Sequence, residues 1–257
     1  MKGKILLVGS LFLAIVLSCG SMSDAIYISS SGHPFGTNDT LTPKFRNSDA
    51  PGATLWMNTE PGNKIRSVAV GDFNGDGIDD ALVGSEDTNV YAINGATGLT
   101  LWTNTNPSDW IYSVAVGDFN NDSIDDALAG SFDGNIYAID GTTGLTLWTN
   151  TDPSNRIRSV AVGDFNNDSI DDALAGSDDD NIYAIDGTTG LTLWTNTDPS
   201  DWIYSVAVGD FNNDSIDDVL AGSADDKVYA INGVNGTQLW NNADASDNIL
   251  TVAVGDF

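Results

Sequence analysis

One interval organises the chain: the segment VAVGDF begins at Val68, Val114, Val160, Val206 and Val252, each 46 residues after the last. Trp56, Trp102, Trp148, Trp194 and Trp240 keep the same interval. A fixed period of this length means that one supersecondary unit recurs and buries its apolar face only against its neighbours. The chain is therefore a solenoid, an array or a propeller.

Within a unit the apolar residues alternate or fall in short runs, and turn residues interrupt them every six to ten positions. In the third unit IRSVAVGDF reads as strand A, DDALAGS as B, NIYAIDG as C and LTLWTNT as D. The connections NNDSI, DDD, TTG and DPSN hold the residues that make tight turns. No stretch has helical periodicity. Four antiparallel strands in a unit of this length predict an all-β chain of β-propeller blades, which take about 40 to 50 residues each.

The segment VAVGDFNGDGIDDALVGS resembles the FG-GAP/VCBS repeat of integrin α-subunit propellers and many microbial surface proteins. NVYAINGATGLTLWTNT is similar to the quinoprotein-like (PQQ) propeller repeat. Together the two resemblances cover residues 53 to 257. The first is the more specific, because its acidic loop recurs at constant spacing.

Counting strands exposes a mismatch. Four complete units are preceded by an orphan D strand, ATLWMN, and followed by an orphan A strand, LTVAVGDF. An innermost and an outermost strand are not neighbours in a blade, so these two cannot close a ring. The expectation is an open arc, cut from a longer protein and ending mid-blade at Phe257.

The acidic loop follows strand A. A hard cation such as calcium takes six to eight oxygens in flexible geometry, and a short loop with acids at alternate positions can wrap it. The spacing DxNxDxxxD offers Asp72, Asn74, Asp76 and Asp80, with the Ile78 carbonyl. The second copy offers Asp118, Asn120, Asp122, Ile124 and Asp126; the third Asp164, Asn166, Asp168, Ile170 and Asp172; the fourth Asp210, Asn212, Asp214, Ile216 and Asp218. The FG-GAP resemblance assigns these positions to calcium. Asp79, Asp125, Asp171 and Asp217 stand next in line, as outer-shell acceptors or partners of neighbouring backbone. Such loops carry glycine where the backbone turns sharply. Gly77 satisfies this, whereas Ser123, Ser169 and Ser215 replace it and predict weaker binding. The competing reading is a solvated acidic hairpin in which Asp and Asn make turns to their own backbone.

Composition narrows the function classes. Against 37 acids stand nine bases, a net charge of -28, which makes a nucleic-acid partner improbable. Bound cations, high salt or plain solvation could each offset that charge. Residues 1–25 read as an export signal, with Lys2 and Lys4 before an apolar run too short for a membrane span and a small-residue cleavage site after Ala25. VLSC, ending at Cys19, leaves a lipid anchor as the alternative. Residues 26–52 read as an irregular linker and 53–257 as the propeller. Cys19 is the only cysteine and His33 the only histidine, so the mature chain has no disulfide and no histidine-based site. Of the sequons at Asn38, Asn121, Asn167, Asn213 and Asn235, the middle three coincide with the acidic loops.

Loops alternate between the two faces of a propeller. The A-to-B and C-to-D turns share one face, the B-to-C and D-to-A connections the other. On the second face a 92-residue super-period is overlaid: Lys64 and Arg66, then Trp110 and Tyr112, then Arg156 and Arg158, then Trp202 and Tyr204. Neighbouring blades thus set a cationic pair beside an aromatic pair, a candidate ligand surface. The alternative is structural: the cations pair with Glu86, Asp87 and Asp178 to Asp180, and the aromatics seal blade interfaces. The periodic tryptophans read as packing of the outermost strands.

No nucleophile–base pair or phosphate loop is present. The expectation is a secreted or cell-surface, calcium-binding propeller that acts as a recognition or adhesion module, not an enzyme. Its partner would be an extracellular protein or carbohydrate. The alternatives are a quinoprotein-like or polysaccharide-active propeller enzyme and a purely structural surface-layer component.

Overall fold

The computed structural model describes residues 54–255 throughout and, before them, the backbone of three strands. These are β1 (Lys4–Val8), β2 (Phe12–Cys19) and β3 (Met22–Ile28), which pair antiparallel in that order. The cleavage point expected after Ala25 falls inside β3. His33, Asn38, most of the expected linker and Phe257 lie outside the described residues.

The repeats fold as four separate four-stranded antiparallel sheets, and none closes into a barrel. Blade 1 is β4 (Ile65–Gly71), β5 (Asp80–Ser85), β6 (Val90–Ile93) and β7 (Thr100–Asn104). Blade 2 is β8 (Ile111–Gly117), β9 (Asp126–Ser131), β10 (Ile136–Ile139) and β11 (Thr146–Asn150). Blade 3 is β12 (Ile157–Gly163), β13 (Asp172–Ser177), β14 (Ile182–Ile185) and β15 (Thr192–Asn196). Blade 4 is β16 (Ile203–Gly209), β17 (Asp218–Ser223), β18 (Val228–Ile231) and β19 (Gln238–Asn242). Their innermost strands stack in series, β4 on β8, β8 on β12 and β12 on β16. The arrangement is the open, all-β, propeller-like one that the strand count predicts.

Each strand is shorter than its apolar run. LTLWTNT, for example, pairs only from Thr192 to Asn196, with a register shift where Ile185 meets Thr192 and Ala184 meets Trp194. The two middle strands of each of the first three blades are buried at every position. Both of their faces are covered, because side chains alternate and a blade has a neighbour on each side. Leu82, Val90 and Ala92 point into a cluster with Ile111, Ala127, Ala129 and Tyr137 of the next blade. Ala81, Val83, Tyr91 and Ile93 turn the other way, onto Trp56. The core therefore lies between blades, and each fully buried Leu or Ile there contributes about 1.5–3 kcal/mol.

The flanking segments use the same packing. Trp56 donates its indole N–H to the Gly95 carbonyl, as Trp102, Trp148 and Trp194 do to Gly141, Gly187 and Gly233 of the following blade. At the other end the Ile249 N–H donates to Ser223 O, and the Val252 N–H donates to Ser205 Oγ as the Val206 N–H does to Ser159 Oγ. Trp56, Trp102, Trp148 and Trp194 thus pack as expected, but at the seam between blades, whereas Trp240 is exposed.

Candidate functional site

The first face carries the acidic loops, and their conformation repeats. Gly77, Ser123, Ser169 and Ser215 all adopt left-handed φ values, 78° for the glycine and 68° for each serine. So does the fourth loop position, Gly75 in the first copy and Asn121, Asn167 and Asn213 in the others. This second turn was legible in the sequence, since glycine and asparagine are the residues that tolerate it.

Inside the first loop the Asp72 carboxylate accepts N–H groups from Gly75 (2.8 Å), Asp76 (3.2 Å) and Gly77 (2.8 Å). Asn74 Oδ1 accepts the Asp76 N–H and Asp76 Oδ1 the Ile78 N–H. The other copies keep this pattern through Asp118, Asp164 and Asp210. Positions one, three and five are oxygens of the right hardness on one tight loop, which fits a hard cation. Their lone pairs are turned to the loop's own N–H groups. Among the described residues no three acidic side chains converge as a ready-made metal cluster.

The ninth position does something that spacing does not reveal. Asp80, Asp126, Asp172 and Asp218 are wholly buried. Asp126 accepts the Phe119 N–H of its own loop and the Gly141 N–H of the C-to-D turn, tying two connections of the blade together. Burial, the largest influence, pushes the Asp80, Asp126 and Asp172 carboxyls up to about 6, against the opposing pull of these N–H groups. The phenylalanine next to the loop's first acid plugs it from below: Phe73, Phe119 and Phe165 are buried, edge-on to the tryptophan of their own blade.

The eighth position is a partner of neighbouring backbone, one of the two roles expected of it. Asp125 Oδ2 accepts the Asp72 N–H of the preceding blade (2.7 Å), and Asp171 and Asp217 accept those of Asp118 and Asp164. Asp171→Ala should cost about 1.5–3 kcal/mol in chemical denaturation, the range for a charged hydrogen bond. Asp79, exposed in the first loop, should tolerate the same change within about 0.5 kcal/mol.

On the second face every blade carries an acid–tyrosine clamp that the sequence reading passed over. Tyr91, Tyr137, Tyr183 and Tyr229 donate their hydroxyls to Asp87, Asp133, Asp179 and Asp225. Each of those acids also accepts an N–H from the D-to-A connection, at Gly62, Ser108, Ser154 and Ser200. The recurring D-x-[NK]-[VI]-Y was the available signal. Burial, aided by the adjacent carboxylate, pushes all four hydroxyls up to about 12. A folded value above the unfolded one of about 10 favours the protonated, folded state. This contribution is complete below pH 10 and lost as pH rises toward 12. Alkaline unfolding followed by far-ultraviolet dichroism should show it, and Tyr137→Phe should flatten it.

The cationic and aromatic pairs do meet. Arg66 lies over Trp110 (5.5 Å) and Tyr112 (5.2 Å), and Arg158 over Trp202 (5.0 Å) and Tyr204 (4.9 Å). Arg158 also reaches Tyr112 at 5.8 Å. Two of the acids expected as alternative partners are engaged as well: Lys64 and Arg66 pair with Glu86, and Arg158 with Asp178 through two nitrogens, whereas Asp87 and Asp179 hold tyrosine hydroxyls. The same guanidinium groups are thus both anchored by an acid and stacked on rings. Arg156 differs, since it sits 3.7 Å over Phe132 and makes no ion pair among the described residues. Phe132, which also stacks on Tyr112, is the member of this strip that the sequence reading missed. Trp110 and Trp202 remain 38% and 41% exposed.

Two family models match the chain. Residues 72–129 match the FG-GAP-like repeat, and residues 132–256 match a model described as outer membrane protein assembly factor BamB, a PQQ-type repeat also found in propellers without enzymatic activity. No curated protein matches. Repeats of both kinds are typical of extracellular or envelope proteins, and among the described residues no helix is long and apolar enough to cross a membrane. Motifs, sheets and family models agree on β-propeller-like repeats, with an FG-GAP-like match over residues 72–129 and a PQQ-type match over residues 132–256.

Proposed function

We propose that this protein is a secreted or surface-attached recognition module, stabilised by calcium on one face and binding an extracellular protein or carbohydrate on the other. The observation that carries the reading is the strip of anchored guanidinium groups and half-exposed indoles across four blades. Pre-ordered aromatic surface loses little entropy on binding, which is why rigid Trp and Tyr serve as contact residues. Calcium would be held by Asp72, Asn74, Asp76, the Ile78 carbonyl and Asp80, and by their counterparts, drawing together carboxylates that otherwise repel. A binding screen against glycans and matrix proteins, with and without calcium, tests the proposal. Trp110→Ala and Trp202→Ala should leave the fold intact and abolish capture; capture that survives both changes refutes it.

A second reading, a quinoprotein-like enzyme, is favoured by the PQQ-type match over residues 132–256. Its sign would be quinone-dependent oxidation of an alcohol or sugar by the purified protein.

A further inference from the structure

The super-period breaks at its last step. Positions 248 and 250 follow Arg156 and Arg158 by 92 residues, and they hold Asn248 and Leu250. The segment nevertheless takes the place of an inner strand: Ile249 packs at Gly222 as Ile203 does at Gly176, and the Asn248 N–H donates to Asp247 as the Trp202 N–H does to Asp201. In blade 2 the aromatic pair receives Arg66 from the blade before and Arg158 from the blade after, with Arg156 capping Phe132. In blade 4 Trp202 and Tyr204 receive Arg158 from the blade before. On the following segment Asn248 and Leu250 stand where Arg156 and Arg158 stand after blade 2, and Ala224 replaces Phe132.

The surroundings are acidic, and one carboxylate oxygen lacks a donor. Asp225, whose side chain is 7% exposed, has one carboxylate oxygen, Oδ1, that is buried without a hydrogen-bond partner. The corresponding oxygens of Asp87, Asp133 and Asp179 accept a backbone N–H from Asn89, Asn135 and Asn181. The other oxygen of Asp225 already takes Ser200, Lys227 and Tyr229. Asp225 lies beside Ala224, whose N–H donates to the Trp202 carbonyl. Burial and repulsion from Asp201, Asp179, Asp178 and Asp225 raise the Asp180 carboxyl, which marks the same negative potential from the neighbouring blade.

We infer that the Trp202–Tyr204–Ala224 niche of blade 4 binds a guanidinium side chain of a basic peptide or protein segment, supplied in trans where blade 2 is served by Arg156 and Arg158. The ligand's planar cation stacks on the indole and reaches toward the acids around Asp225. The chain's net charge of -28 steers basic partners toward it. This inference rests on the recognition reading above and names the ligand class for one end of the strip.

The test is fluorescence titration, at physiological salt, of the full chain with an acetylated Gly-Arg-Gly-Arg-Gly amide and with its citrulline counterpart. The arginine peptide is expected to bind at least tenfold more tightly. Ala224→Phe fills the niche as Phe132 fills blade 2 and leaves net charge unchanged; it should weaken the arginine peptide at least fivefold. Asn248→Arg, at an exposed position, supplies the cation internally and should weaken it similarly if Ala224→Phe folds poorly. Equal binding of the two peptides, or affinity unchanged in the folded variants, overturns the inference. If the arginine peptide fails while a screened glycan or protein is released by Trp202→Ala, this inference falls and the recognition reading stands. If nothing binds, both fall.

Discussion

Gly141→Ala should destabilise the protein by about 3 kcal/mol or more, as much as truncating a large core side chain. A Cβ at Gly141 would lie 1.8 Å from the Asp125 carbonyl oxygen and 3.2 Å from Phe73. Backbone cannot yield as the end of a side chain can, so the turn itself must move. That movement breaks the bond from the Gly141 N–H to buried Asp126 and the one that its carbonyl accepts from Trp102. One substitution therefore uncouples a loop, a turn and the neighbouring blade. Gly187→Ala, where the added carbon would meet Asp171 O at the same distance, should behave alike. Gly77→Ala is the control: φ is 78°, but nothing lies within 4 Å of the added carbon, so only the cost of a left-handed residue, about 1 kcal/mol, is expected. Urea denaturation of the three variants gives the comparison, and similar losses for Gly77→Ala and Gly141→Ala would refute this account.

Removing calcium should have the second large effect. If the four loops bind it, each site stabilises the folded chain by about 2.7 kcal/mol at a concentration a hundred times its dissociation constant. Excess chelator at moderate salt should then lower the melting temperature by many degrees, and added calcium should restore it. The copy containing Gly77 should fill first, because the other three hold serine in the same left-handed turn. Asp76→Asn should weaken that copy selectively in calcium titration. A melting temperature that chelator leaves unchanged would refute calcium stabilisation and leave the loop as a hydrogen-bonded turn organised by Asp72 and its own backbone.

These two predictions draw on different kinds of information. The loop positions were legible because a ligand-type pattern is local: DxNxDxxxD appears the same on paper as in space. The Gly141 hub was not, although its motif recurs four times. Its three partners come from residue 126 at the start of its own blade's second strand, residue 125 just before that strand, and residue 102 of the blade before. Sequence shows that a glycine recurs; only packing shows that a carbonyl stands where its side chain would be. The acid–tyrosine clamps were hidden for a similar reason. Asp133 and Tyr137 are close in sequence, but the Ser108 N–H that completes the clamp arrives from 25 residues away.

The strip on the second face shows the limit most clearly. The super-period places Arg66, Trp110, Arg158 and Trp202 on one surface, and leaves open whether they present a ligand surface or pair with acids and seal blade interfaces. Because a guanidinium is planar, it meets an acid at its edge and a ring on its face, so Arg158 does both at once. Phe132 gained meaning only when the structure put it beside those rings, and Ala224 only through its backbone bond to Trp202.

Sequence by itself determined the period, the four strands of each unit and the face to which each loop belongs. These follow from local chemistry repeated at a constant interval: alternation sets the sides of a strand, and turn residues set its ends. Tertiary structure decided where the core lies, which of the loop acids are tied to backbone, and which of two chemically equivalent aromatic pairs is left without a second cation. Those depend on which residues of one blade reach the next, and a repeat unit read alone does not contain its neighbour.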